Sequence, residues 1–433
     1  MKKFLVIIAV LALTMVSSVA MAEVTMDGSI EFLMRSFKNT SDWNDATTTA
    51  GDYQNTYTRL RMGMNAKTEG AKGRIQIDTD WDQWGDKAGT ATPLVGEGPN
   101  PGFETKSTNA FSMREGWLDF GLGVGTAHIK VGRQFLQLGN GWFLRSAKYG
   151  SDAWLLGLPG RNTVAFVNIK ASENDSTRSD DTDAYALLDV FKIDDKNTVG
   201  VYLARAYDRK GAWTNNAFFG GAYATKETTL DNIGVHYSGK VGPVNLQAEV
   251  DYQMGDITPV AAGAAKTKFK GNQVVLQANV PISALTINAT LARGTGNKAG
   301  STDIDQYMTF LDKDPRYTAV YEYVMNAATG AKNTGFANTT AIGLGGAYKL
   351  SKMFQFNLDV WMLQATEKVA LNGNANPSDD LGNEVDLRVT AKITDQVSWY
   401  VNFGYFMTGD AYKSAAGVAD DVQAVQSVLS YKF

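Results

Sequence analysis

The sequence predicts an all-β chain: a transmembrane antiparallel up-and-down barrel of about eighteen strands, with sixteen as the alternative count. Three observations lead to this prediction. Apolar and polar residues alternate with a period of two along most of the chain, the alternating segments are long, and the connections between them are alternately short and long. Such alternation is typical of a strand that has one apolar face and one polar face.

The first 22 residues are expected to be a cleaved secretory signal, so that residues 23–433 form a single barrel domain. Lysines at positions 2 and 3 precede an apolar run of 13 residues, Phe4–Val16, and a small-x-small cleavage pattern ends at Ala22. This run is too short to cross a bilayer as a helix. The rest of the chain has no apolar stretch of 18 residues and no cysteine, so the sequence predicts neither a membrane helix nor a disulfide.

Eighteen segments carry the strand pattern. In the clearest one, residues 243–254, apolar residues at even positions alternate with polar residues at odd positions. Strands with one apolar and one polar face belong to half-buried antiparallel sheets. We place the strands at 24–37, 55–66, 71–81, 109–121, 126–136, 150–158, 162–172, 183–192, 197–207, 228–238, 243–254, 270–280, 284–295, 338–349, 353–367, 382–393, 396–409 and 420–433.

The connections between these strands form two alternating groups. Eight contain two to four residues, and the other nine contain 10 to 42 residues. Short periplasmic turns at one end and long extracellular loops at the other are typical of an outer-membrane barrel. A secreted β-sandwich is the competing interpretation, but strands of this length and number exceed what one sandwich uses.

The end of the chain has strand spacing up to its last residue, because Val425, Leu429, Tyr431 and Phe433 share one face. This ending resembles the C-terminal signal of Gram-negative outer-membrane porins, and the stretches 57–63 (YTRLRMG) and 129–134 (IKVGRQ) resemble strands of porins. The resemblance implies that the barrel assembly machinery recognises Tyr431 and Phe433. It also implies a homotrimer in the bacterial outer membrane, in contact with lipid and lipopolysaccharide.

Strand parity assigns the polar residues to the inside of the barrel, and sixteen to eighteen strands leave an aqueous channel there. The predicted pore-lining bases are Arg35, Arg59, Arg61, Arg74 and Lys130. The predicted pore-lining acids are Glu31, Asp78, Asp80, Glu249, Asp251, Asp359, Glu384 and Asp386. A basic wall on early strands facing an acidic wall on late strands would bias which ions pass. The alternative is that these residues form solvated ion pairs, since Asp78, Asp80 and Asp119 lie on the basic side.

A loop folded into the lumen would narrow the channel, and in general porins this is usually the third loop. Here the third loop, residues 137–149, is short and carries the candidate constriction residues Trp142, Arg145 and Lys148. The seventh loop, from Thr295 to Thr339, is much longer. The sequence leaves the choice between these two loops open.

Aromatic residues near strand ends are assigned mainly to the outer face, where they would form the girdles of a membrane interface. Trp81, Trp399 and Tyr405 belong to this set. Other rings, including Trp361 and Tyr400, have inward parity. Because the inward rings are spread over several strands, packing or loop support is favoured over a sugar-binding row.

These features predict a water-filled porin for passive diffusion of small hydrophilic solutes and ions, without catalysis or cofactor. One alternative is a non-conducting or partner-filled barrel: an adhesin, a surface anchor or a sheath for an electron-transfer protein. Another is an enzyme, since the His-x-Ser spacing of His236 and Ser238 resembles the site of outer-membrane phospholipases. Parity turns both side chains away from lipid. No metal site is expected, because the acid-rich segments lack EF-hand spacing, and no nucleic-acid patch is found.

Overall fold

Eighteen antiparallel strands form a closed barrel within the residues that the structure describes, as the sequence predicts. The computed structural model describes residues 22–40, 52–79, 81–84, 112–146, 150–172, 181–209, 225–259, 263–311, 316–325, 335–371, 376–414 and 416–433. The barrel strands, numbered β1–β18 in chain order, are Glu23–Lys38, Tyr53–Lys67, Ala71–Asp78, Ser112–Gly121, His128–Gln134, Ser151–Leu158, Asn162–Ser172, Thr182–Lys192, Thr198–Asp208, Thr225–Val241, Val244–Pro259, Asn272–Ile282, Leu285–Gly294, Thr339–Lys349, Phe354–Val369, Ser378–Lys392, Val397–Thr408 and Val422–Lys432.

The barrel closes by pairing its first and last strands. Ser29 lies opposite Lys432 and Lys38 lies opposite Gln423 in the β1–β18 ladder. At the end of this ladder, the Gly28 amide donates to the Phe433 carbonyl at 2.9 Å and the Phe433 amide donates to the Gly28 carbonyl at 3.1 Å. Closure pairs the edge that an open sheet would expose.

The two ends of the barrel differ in their connections. Turns of two to six residues join the strands at one end, called the short-turn end here, and the long loops lie at the other. The β4–β5 turn runs through Ala127, longer than the sequence pattern indicates, because the Leu122 amide reaches the Ala127 carbonyl at 2.9 Å and two glycines between them have positive φ.

Several short elements lie outside the barrel ladder. Two-residue strands at Asp82–Gln83 and Thr267–Lys268 extend the pairing of β2 and β11. Leu144–Arg145 and Phe310–Leu311 pair with each other in parallel, and short helices form at Tyr321–Met325 (π) and Asp410–Tyr412 (3₁₀). In the described parts of the chain, no helix combines the length and apolarity needed to span a bilayer.

The apolar residues of the alternation lie on the outer face of the barrel. Leu344, Met362 and Leu291 are 63, 56 and 52% exposed, respectively. Tyr431 and Phe433 also lie outside, with ring centroids 5.8 Å apart. A continuous exposed apolar band is the surface that a bilayer solvates.

Gly132 in β5 shows how closely the early strands approach each other. Its φ is +115°, and a Cβ there would lie 2.1 Å from the Gly116 carbonyl oxygen. We expect Gly132→Ala to lower the unfolding temperature of the refolded barrel on heat-modifiability gels, since such strain costs about 1–3 kcal/mol. Gly121→Ala is the matched control, because a Cβ at Gly121 has no atom within 4 Å. Equal unfolding temperatures for the two variants would contradict this account.

Candidate functional site: the barrel lumen

Three of the four arginines of the predicted basic wall are ion-paired with acids on neighbouring strands. Nη2 of Arg59 lies 2.5 Å from Oε2 of Glu31, directly across the β1–β2 ladder. Arg61 binds Asp78 at 2.6 Å. Arg74 binds both Asp27, at 2.7 Å, and Glu115, at 2.8 Å. These pairs match the alternative interpretation of the sequence, in which the charges of the early strands offset one another.

The two other predicted bases contact aromatic rings. Nζ of Lys130 lies 3.9 Å from the Trp117 ring centroid. Arg35 is 1% exposed and donates to the Tyr57 hydroxyl at 3.1 Å. Both contacts hold the cation against the inner wall. The predicted acid Asp80 lies outside the described residues.

Two of the predicted acids lie beneath loop 3, residues 135–150. Glu249 on β11 accepts hydrogen bonds from the amides of Asn140 and Trp142, the latter at 3.3 Å. Asp251 accepts from the Tyr202 hydroxyl and from the side-chain amides of Asn232 and Gln273, at 3.0 and 2.8 Å. These carboxylates therefore fix loop 3 and the wall beneath it.

Two further predicted acids, both on β16, hold loop 7, residues 295–338. Glu384 accepts hydrogen bonds from the amides of Val320 and Tyr321 at 2.6 and 2.8 Å. Asp386 accepts from the Ala319 amide at 3.2 Å. Glu384 is fully buried, so these bonds form out of contact with water. The loop is thus attached to the barrel wall through its backbone.

Loops 3 and 7 also bind each other inside the barrel, so both of the loops left open by the sequence enter the lumen. The Arg316 guanidinium donates to the carbonyls of Asn140, at 3.2 Å, and Gly141, and lies 3.6 Å from the Trp142 ring centroid. The Phe310 amide donates to the Phe143 carbonyl at 2.7 Å. Arg145 lies in the two-residue strand at this junction, and Lys148 lies outside the described residues.

Glu322 organises loop 7 internally. It accepts hydrogen bonds from the amides of Arg316, Tyr317 and Gly335, the last two at 2.7 and 3.3 Å. Burial raises the pKa of Glu322 to about 8, and the amide hydrogen bonds oppose this rise. The carboxyl therefore belongs to the interior of the loop.

Apolar side chains pack together in the lumen around these anchors. The sequence predicts packing for the inward ring of Trp361 but not a cluster of this size. Val320, Tyr321 and Phe336 from loop 7 cluster with Trp361 of β15 and Phe406 of β17. The sequence carries a sign of this cluster, because inward and outward positions of the strand are both apolar here, as in Trp361-Met362-Leu363. Such a segment indicates that something apolar packs against its inner face.

A polar cavity of about 470 Å³ remains between loop 7 and the wall. It is lined by Arg59, Trp81, Arg316, Tyr317, Thr318, Ala319, Asn357, Asp359, Asp386, Arg388, Tyr400, Asn402 and Gln426. The assignment of Trp81 to the outer face was wrong, because β3 ends at Asp78 and its parity does not continue to residue 81. Instead, the Arg59 guanidinium lies 3.9 Å from the Trp81 ring centroid. Arg388 lies two residues after Asp386 on the same strand and has the same inward parity, so strand parity could have identified it as a pore-lining residue.

His236 is buried on the inner face, and its Nδ1 has no hydrogen-bond partner among the described residues. Among the described residues, the Ser238 hydroxyl therefore forms no hydrogen bond with Nδ1 of His236. Across the described ranges, no group of three His, Cys, Asp or Glu residues is placed to hold a metal ion.

Comparison with known proteins places this barrel in a family. The alginate export family matches residues 64–426. A BenF-like porin from Pseudomonas fluorescens Pf-5 and OccK9 (OpdG) from Pseudomonas aeruginosa each have 10% identity to this chain and a TM-score of 0.57, and OccAB4 from Acinetobacter baumannii has 9% identity and the same TM-score. Each of the three structural alignments covers 95% of this chain and 98% of the other chain.

A search of curated protein sequences finds no match. The solved structures show the fold, and the family match spans most of the chain. The chain therefore belongs to the alginate export family and is a β-barrel of the porin fold in the bacterial outer membrane.

Proposed function

We propose that the chain forms a water-filled channel through which small hydrophilic solutes and ions cross the outer membrane by passive diffusion. The polar cavity between loop 7 and the late strands carries this proposal, since most of its lining side chains are charged or hydrogen-bonding. A barrel of eighteen strands is wide enough for an aqueous channel, and the two inward loops narrow it. The carboxylates around the loops serve as structural anchors in this scheme, so no catalytic step is proposed.

Export of alginate is a second candidate, favoured by the family match. Alginate is an anionic polysaccharide, and guanidinium groups are suited to binding carboxylates. Arg59, Arg316 and Arg388 line the cavity. A polymer is much larger than the solutes of the first candidate, so export through this barrel would require loop 7 to leave the wall.

Single-channel recording of the refolded barrel in a planar bilayer with a salt gradient tests the channel proposal. We expect stepwise conductance, and entry of small sugars but not alginate oligomers into liposomes that contain the barrel. Passage of alginate oligomers at a comparable rate would favour the export candidate. A barrel that is folded by heat-modifiability but carries neither current nor solute would overturn both and favour a non-conducting role.

A further inference from the structure

The cavity contains a pair of acids whose position is electrostatically costly. Asp359 on β15 and Asp386 on β16 are direct partners across the strand pair, both on the inner face. Like charges placed directly opposite each other destabilise a sheet. A bound positive charge between the two carboxylates would remove this repulsion.

Neither acid forms an ion-pair contact with a wall residue among the described residues, although Arg388 attracts Asp359 electrostatically. On its other side Asp359 faces Gly345, and Asp386 faces Gly404. In the part of the chain that the structure describes, Asp359 has no hydrogen bond or ion pair. Asp386 is 94% buried, its Oδ2 accepts the Ala319 amide at 3.2 Å, and its Oδ1 has no partner there.

The carboxylates take the space over these glycines that a side chain would otherwise occupy, and loop 7 shares it at Gly404, where a Cβ would lie 2.9 Å from the Ala319 Cβ. A Cβ at Gly345 would be 1.8 Å from Oδ1 of Asp359, and a Cβ at Gly404 would be 3.1 Å from Oδ1 of Asp386. Glu384, the nearest other acid on this face of β16, already binds two loop amides. Asp359 therefore keeps its acceptor capacity for a ligand, and beside it the Oδ1 of Asp386 is buried without a hydrogen-bond partner among the described residues.

A base lies beside the acid pair and attracts Asp359 electrostatically. Arg388 is two residues after Asp386 on the same face, about 7 Å along the strand. Its guanidinium lies 5.0 Å from the Tyr400 ring centroid, and it has no hydrogen bond or ion pair among the described residues. The other two guanidiniums of the cavity are committed, Arg59 to Glu31 and Arg316 to loop carbonyls.

We propose that this cavity binds a zwitterionic solute of the amino-acid or short-peptide class, a proposal that rests on the channel function above. The ammonium group lies between Asp359 and Asp386, and the carboxylate accepts hydrogen bonds from Arg388. A solute with only a negative charge meets the acid pair, and one with only a positive charge meets Arg388. A divalent metal needs more oxygen ligands than these two carboxylates supply.

Uptake into liposomes containing the refolded full-length barrel tests the proposal with three probes of similar size. These are labelled L-alanine, which is zwitterionic, L-alaninamide, which is a cation, and propionate, which is an anion. We expect L-alanine uptake to saturate and to be reduced by excess unlabelled L-alanine but not by the other two. Equal, non-saturating entry of all three probes would overturn the zwitterion site while leaving the general channel intact.

Three charge-removing variants locate the site. Asp359→Asn, Asp386→Asn and Arg388→Gln each remove one charge of the cavity, and each is expected to lower L-alanine uptake at low concentration about tenfold, the effect of losing one charge-assisted hydrogen bond. Asp395→Asn removes the same charge at an exposed short turn and should leave uptake unchanged. Wild-type uptake in all three cavity variants would contradict the proposed site.

Equilibrium binding of labelled L-alanine to the detergent-solubilised barrel separates this proposal from the channel proposal. Charge-dependent binding to a barrel that carries no current would support the site and overturn the channel. Current without L-alanine binding would support the channel and overturn the site.

Discussion

Replacing Glu384 by alanine will loosen loop 7 from the barrel wall and raise the single-channel conductance several-fold. Glu384 is the acceptor for the buried amides of Val320 and Tyr321. Alanine leaves both donors without a partner, and each buried unsatisfied donor costs about 1–3 kcal/mol. The loop then no longer has a fixed position in the lumen, and the cross-section open to ions increases.

Apolar contacts oppose this release. Val320, Tyr321 and Phe336 are all fully buried among lumen side chains, so they favour the docked loop even without the carboxylate. We therefore expect a noisy open current, with the loop exchanging between docked and released positions. Glu384→Gln keeps one acceptor oxygen and should give an intermediate conductance. Asp395→Ala removes a carboxylate at an exposed turn and should behave as wild type.

A reversible crosslink provides a rescue test in the same variant. The Ala319 Cβ lies 2.9 Å from the position of a Cβ at Gly404, and the chain has no native cysteine. A shift of about 1 Å would bring a cysteine pair at 319 and 404 into the range of a disulfide. Oxidation of Ala319→Cys/Gly404→Cys in the Glu384→Ala background should return the conductance to the wild-type level. A conductance that is the same in oxidised and reduced protein would show that loop 7 does not limit the current.

Strand number and strand parity were predictable because both depend on a two-residue pattern. Each strand needs one face toward lipid and one toward the lumen, so residues such as Val250 and Asp251 are assigned by their order alone. Trp81 shows the limit of this rule, since strand parity no longer predicts which way a side chain points once the strand has ended at Asp78.

The partners of the inward acids were not predictable in this way. Glu249 has the same sequence signal as a solvated pore residue, but it binds amides more than 100 residues away, at Asn140 and Trp142. Glu384 likewise binds backbone groups more than 60 residues away in the chain. Contacts between a loop backbone and a distant strand leave no periodic trace. In the sequence, only the apolar residues at inward positions near these contacts, such as Trp361 and Leu363, indicate that something packs inside the lumen.

The second large effect concerns the cross-strand pair of Arg59 and Glu31. Arg59→Glu should both destabilise the barrel and shift the reversal potential toward cations, and adding Arg61→Glu should increase both changes. The variant places two carboxylates directly opposite each other in the β1–β2 ladder. Both wild-type side chains are largely buried, at 11 and 15% exposure, and breaking a buried ion pair costs about 3–5 kcal/mol, less where water reaches the pair.

Exchanging the two charges distinguishes the pair from the net charge of the lumen. In Glu31→Arg/Arg59→Glu the ion pair can reform with its polarity reversed, so we expect the unfolding temperature to recover most of the loss seen in Arg59→Glu. The net lumen charge also returns to its wild-type value. If the reversal potential recovers with it, total charge sets the selectivity. If it stays shifted toward cations, the ion selectivity depends on having a guanidinium at position 59, over the Trp81 ring in the wall of the cavity. A reversal potential identical in wild type and Arg59→Glu would instead remove Arg59 from the conduction path.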